Sequence, residues 1–203
     1  MFYHPSERDH GLPHDPLKAI VAPRPIGWIS SQDSEGRLNL APYSFFNLVA
    51  DRPPIVMFSS YGRKDSVRNV EETGEFVCNL TTYDLREAVN ATSAGLAHGE
   101  SEFDAAGLAT EASALVKPPR IAGVAAALEC RYLKSDVLVG LDGQRSSNII
   151  VYGEIVGCFI RDDLIVDGRF DMTAARTIAR CGYMDYATVE SLFVMHRPAG
   201  GGG

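Results

Sequence analysis

Apolar residues come in short β-type runs through the first half of the chain: Ala19 to Val21, Ile26 to Ser31, Leu38 to Leu40, Ile55 to Ser59 and Phe76 to Leu80. Runs of this length, bounded by Gly, Pro, Asp and Ser, predict strands. Asp33-Ser34-Glu35-Gly36 between the second and third runs is a hairpin-closing cluster, which sets Trp28 and Ser30 opposite the segment entering Ala41. Pro53 and Pro54 donate no backbone hydrogen bond and end a loop before the Ile55 strand. Helical spacing is rarer: Ser66 to Thr73 closed by Gly74, Asp84 to Thr92 with Leu85, Ala88 and Val89 on one face, and Met172 to Ala179. Strands return at Gly123 to Leu133 and Asn148 to Ile160, where Gly153 and Gly157 predict bulges or close backbone approach. Between Gly95 and Pro119 small and acidic residues make a long excursion, of the kind used as a lid or dimer arm. The pattern is that of a strand-rich α+β barrel with helices covering one end.

No internal boundary interrupts this series, so one domain over 16–198 is expected, with 1–15 as a flexible lead-in and 199–203 as a flexible glycine tail. A net charge of -7 and scattered basic residues argue against a nucleic-acid partner. No stretch of about 18 apolar residues offers a membrane span, and the N-terminus lacks the apolar core of a secretory signal. Cys78, Cys130, Cys158 and Cys181 form no CxxC pair, which favours a reduced, cytoplasmic protein. His4, His10 and His14 lie among Pro, Gly and charged residues and read as lead-in, with no metal site expected.

Two neighbouring segments carry candidate chemistry. Arg63-Lys64-Asp65-Ser66 opens a helical pattern, and with Ser66 as N-cap its charges, hydroxyl and free amides suit a phosphate. Asp65 would repel an anion and is expected to turn away, cap the helix, or hold Lys64 or Arg68. The other segment reads PRPIGWISS, a turn, then LNLAPYSFFN. Its Trp28, Ser30, Ser31, Tyr43, Ser44 and Asn47 suit the rim of a flat aromatic ring, while Ala41 and Pro42 permit close backbone approach. Taken singly, Trp28, Phe45 and Phe46 read as core and the serines as strand decoration.

The order PRPIGW, N-x-A-P-Y-S, R-K-D-S and Asn79 in FVCNL resembles the flavin reductase-like, FMN-binding split-barrel family, in its flavoredoxin-like branch, over roughly Pro16 to Pro198. The resemblance implies an antiparallel split β-barrel with short covering helices. It implies FMN as cofactor, held by Trp28, Ser30, Ser31, Ala41, Pro42, Tyr43, Ser44, Asn47, Arg63, Lys64, Asp65 and Ser66, with Trp28 near the ring. It also implies a homodimer with each flavin near the subunit interface.

No GxSxG, HExxH, GxGxxG or catalytic Cys/His pair is present, so the flavin is expected to carry the reaction without a catalytic side chain. The expected activity is electron transfer from NAD(P)H to flavin or another small acceptor. The alternatives are a non-enzymatic FMN electron carrier serving a protein partner, and a split-barrel module that has lost its cofactor. Arg180-Cys181-Gly182-Tyr183 is similar to a family segment with a glycine pair beside the cleft, and Tyr183 in place of the second glycine would narrow the entrance. Cys158-Phe159-Ile160 stands where relatives carry a histidine, and His98 in the excursion is a further histidine within conceivable reach of the cofactor. Glu102 and Phe103 are read as cleft wall or dimer contact.

Overall fold

A computed structural model describes residues 1–96 and 100–198. Seven strands form the main sheet: β1 (Gly27–Gln32), β2 (Leu38–Tyr43), β3 (Phe46–Asp51), β4 (Pro54–Tyr61), β5 (Glu75–Leu80), β6 (Ala126–Asp136) and β7 (Asn148–Ile160). Every neighbouring pair is antiparallel, in the order β2-β1-β5-β6-β7-β4-β3. The two edge strands, β2 and β3, are joined by only two residues, so the sheet must curl until its edges approach each other. That is an antiparallel split barrel.

Gly27 marks where the edges meet. A Cβ built there would lie 2.5 Å from the Phe46 ring, so β3 approaches β1 only because this position has no side chain. Gly153 and Gly157 sit at the two register shifts between β6 and β7, as the sequence predicts.

Alternation along the strands divides the core in two. Ile29, Tyr43, Phe58, Phe76 and Val151 face the inside of the curl, which is plugged by Val67 and Val70 of the helix α1 (Asp65–Thr73). Trp28, Leu40 and Val77 face outward and are covered by Val89, Phe103, Val116, Ile121 and Val124. The excursion is therefore pinned along part of its length. Glu129 accepts from the amides of Ala114 (2.8 Å) and Leu115 (2.6 Å), and the Ser30 hydroxyl donates to the Pro119 carbonyl (2.6 Å).

Several local expectations need correction. Ala19 to Val21 is no strand: Leu17–Ile20 is one helical turn, because Pro16 opens it with a helical backbone and its carbonyl accepts from Ala19 and Ile20. β3 has no counterpart among the predicted strands, although it is the barrel edge. The third helix stops at Ala175, where Arg176 adopts a left-handed conformation, and Ile178–Arg180 turns into a strand. That strand joins Arg24–Pro25 and Tyr186–Thr188 in a small second sheet. The second helix is a 3-10 turn, Tyr83–Leu85, followed by Arg86–Ala91. Among the described residues no helix is long and apolar enough to cross a membrane.

Candidate functional site

A cavity of about 320 Å³ lies along edge strand β2. Asn39, Ala41, Pro42 and Tyr43 form its strand wall, and Lys64, Asp65 and Ser66 form its floor at the start of α1. Thr92 to Leu96 and Glu102 close the far side. Two segments separated by some twenty residues in the chain thus face one space.

The floor differs from the expectation in one respect. Lys64, extended in backbone, occupies the N-cap position and makes no capping hydrogen bond, so Ser66 sits inside the first turn. The Ser66 hydroxyl accepts from Asn39 Nδ2 (2.8 Å), which fixes the strand wall to the helix. The helix start presents its first amides without internal partners, and the peptide dipoles add partial positive charge there. Asp65 pairs with Arg68, one of the three roles expected for it. Among the described residues Lys64 has no ion-pair partner, so the cation at the cavity floor is available to an anion.

Two buried groups complete the wall. The Tyr43 hydroxyl is buried without a hydrogen-bond partner among the described residues, although the Ser66 and Ser60 hydroxyls lie near it. Burial pushes its pKa up, so it stays a neutral donor. Glu102 accepts from the outward amide of Leu40 (2.9 Å) and caps the exposed edge of β2. Burial raises its pKa above the ordinary carboxylate value, opposed by the Leu40 amide and reinforced by the Asp65 charge.

The remaining residues singled out from sequence are not gathered here. Trp28 is fully buried in the outer core and donates from Nε1 to Thr92 Oγ1 (2.9 Å), so it stands behind the cavity wall. The cause is strand alternation, which turns Trp28 and Ser30 away from the inside of the curl. Ser31 is also buried, near Asn39 and Asn69. Arg63 points outward to Glu71 (2.8 Å). Asn79 is structural: it donates to the Trp28 carbonyl (3.1 Å) and accepts from the Ile121 amide (2.9 Å).

Ser44 and Asn47 line a second, larger cavity of about 750 Å³ with Leu17, Ile20, Val21, Phe45 and Met57. Arg24 stands at its wall, buried, with its guanidinium donating to the carbonyls of Lys18, Val21 and Cys181. Tyr183 adopts φ 54°, a left-handed conformation that favours glycine. Its ring lies 5.8 Å from that of His14. Cys158 is exposed on β7. His98 lies outside the described residues, as does the 199–203 tail. At the N-terminus His4 bonds to Asp9 (2.9 Å) and with Glu7 makes an exposed group whose ligand atoms lie within 4.8 Å of one another, whereas His10 packs on Tyr3 and His14 lies beside Tyr183.

Asn39 and Thr92 to Leu96 are wall residues that sequence reasoning did not assign, while Glu102 was read there as cleft wall or dimer contact. Asn39 was within reach of it, since β2 alternation puts Asn39, Ala41 and Tyr43 on one face.

Residues 21–173 match the family model described as flavin reductase like domain. An uncharacterized protein of Halalkalibacterium halodurans is 34% identical over 188 residues, covering 90% of this chain and 89% of its own. The crystal structure of nitrilotriacetate monooxygenase component B from Bacillus cereus superposes with a TM-score of 0.86 at 30% identity, covering 96% of this chain and 98% of that one. The 2-nitrobenzoate 2-nitroreductase of Pseudomonas fluorescens gives 0.78 at 27% identity, covering 92% and 91%. By the family model and by the extent of these similarities, the chain belongs to the flavin reductase like domain family.

Proposed function

We propose that the protein is an FMN-binding oxidoreductase that takes electrons from NADH or NADPH and passes them to free flavin or another small acceptor. The observation that carries this reading is the convergence of Lys64, Ser66 and the α1 amides with the Ala41–Tyr43 wall on one cavity. A phosphate monoester needs preplaced donors and positive charge, and the floor offers a lysine, a hydroxyl and a helix N-terminus together. Lys64 and Ser66 hold the phosphate, and Tyr43 supplies a neutral hydroxyl that lacks a partner among the described residues. Ala41 and Pro42 let backbone approach the ring. Ser44 and Asn47, which open onto the larger cavity, stay outside this ring site. Arg63 stays with Glu71, and Trp28 supports the wall through Thr92.

A bound flavin accepts and releases the electron pair, and the chain's task is to orient it, exclude water from one face and leave the other open. The active unit is a homodimer. Four free cysteines, two of them buried, suit a reduced, cytoplasmic setting.

The test is a visible absorption spectrum of the purified protein with FMN, then addition of NADH and NADPH without air. Bleaching of the flavin bands, with continued NAD(P)H consumption when free flavin is added, is the expected result. Bleaching by a protein reductant alone would make the chain an electron carrier. A protein that neither binds FMN nor is stabilised by it would end both readings.

A further inference from the structure

The segment that follows the small second sheet carries an unusual surface. From Glu190 to Pro198 it forms neither helix nor strand, and Leu192, Phe193, Val194 and Met195 are 64%, 85%, 79% and 79% exposed. Four consecutive large apolar side chains in water are unfavourable, and a run this short cannot span a membrane. The same molecule also has an apolar cavity of about 750 Å³ whose walls come from Leu17, Lys18 and Ile20 to Pro25, from Ser44 to Asn47, and from Met57. Beside it, edge strand β3 exposes Leu48 and Val49, which extends the apolar surface past the cavity mouth.

The geometry points to reciprocal arm exchange: in a pair of chains, Leu192 to Met195 of each copy occupy the Leu17–Val21 and Phe45–Phe46 part of the other copy's cavity. Connectivity supports this pairing. The arm is rooted at Tyr186–Thr188, which pairs with Ile178–Arg180, which in turn pairs with Arg24–Pro25 on the cavity wall. Arm and cavity therefore belong to one face of the molecule, so a single two-fold contact engages both arms and both cavities. At about 3.3 Å per extended residue, Leu192 to Met195 reach roughly 13–23 Å beyond Thr188, enough to enter a cavity across such an interface. Its charges fit as well. Glu190 stands at the root and Lys18 on the receiving wall, and among the described residues Lys18 has no ion-pair partner. The central part of the arm is uncharged, as an apolar cavity demands. Within one chain the four side chains remain uncovered, which is why the occupant assigned is a second copy.

The inference rests on the two-copy assembly proposed above and not on flavin binding. The test places the photocrosslinker p-benzoylphenylalanine at Phe193 of the full chain, irradiates it, and maps the product by mass spectrometry. The expected result is a covalent dimer with the link in Leu17–Val21 or Phe45–Phe46. A link only within one chain, a link to any other surface, or no link overturns the inference. Sedimentation of the full chain and of a Leu192→Ser/Phe193→Ser variant separates the failures. A dimer weakened about tenfold or more by the variant is expected. An unweakened dimer refutes the arm while the two-copy assembly stands, and a monomeric parent chain refutes both.

Discussion

The two cavities share one stretch of chain, Ala41 to Asn47, yet differ in chemistry. The smaller one carries Lys64, Asp65, Glu102, Asn39 and a helix start; the larger is walled mostly by aliphatic and aromatic side chains. Read as sequence, NLAPYSFFN is a single candidate ring site. In the fold its first residues face a floor that carries Lys64, Asp65 and Ser66, and Ser44 onward faces an apolar hollow. The difference teaches that an edge-to-edge turn in a split barrel can serve two surfaces, because β2 and β3 stand at opposite ends of the sheet order.

The largest effect should come from Arg24, which belongs to the apolar cavity alone. Arg24→Ala leaves three carbonyls without their charged donor and should cost about 3 kcal/mol, since each charge-assisted bond is worth roughly 1.5–3 kcal/mol and the losses overlap. In a chain of this size that lowers Tm by roughly 6–12 °C. FMN affinity of the folded variant should hold within about 3-fold, and a large loss of affinity would merge the two cavities into one site.

Trp28→Phe sharpens the comparison from the other side. Removing the Nε1 bond to Thr92 and part of a buried ring should cost about 1–2 kcal/mol of stability by chemical denaturation. Titration should show FMN affinity within about 3-fold of the parent, whereas a tenfold loss would put the indole against the ring. Next in size is Tyr183→Gly, which relieves a left-handed backbone in the loop above Ala19 and should stabilise by up to about 1 kcal/mol, or roughly 2–4 °C. An unchanged or lower Tm would show that the tyrosine ring contributes more than its backbone costs.

The smallest effect concerns Glu102. A carboxyl whose pKa is raised by folding stabilises the protein in acid and loses that contribution as pH rises through the folded value. Glu102→Gln, which keeps an acceptor for the Leu40 amide, should therefore raise Tm slightly at neutral pH. The gap should close below pH 4.5, the ordinary value for glutamate. A gap that widens in acid would contradict this.

Much of the barrel was legible because its signals are local. The 33–36 turn, the 148–160 strand with its two glycine bulges and the Gly74 helix stop each depend on a few adjacent residues. What was not legible depends on distant partners. β3 pairs only with β4, and from sequence Phe46 read as core and Asn47 as a ring contact, so no strand was assigned there. The alternation of Trp28 and Ile29 was readable, but which face turned inward was decided by where α1 and the 83–124 segment pack. Likewise Thr92 to Leu96 reach the cavity only because Trp28 and Val89 fix that turn against the sheet.

The central claim is that Lys64 and Ser66 grip a phosphate while the β2 wall meets a ring. The direct measurement is the dissociation constant of FMN and of riboflavin for the parent chain and for Lys64→Ala/Ser66→Ala. Each lost charge-assisted bond is worth about 1.5–3 kcal/mol, so FMN should weaken by more than about tenfold while riboflavin changes little. Equal weakening of both ligands would contradict the account.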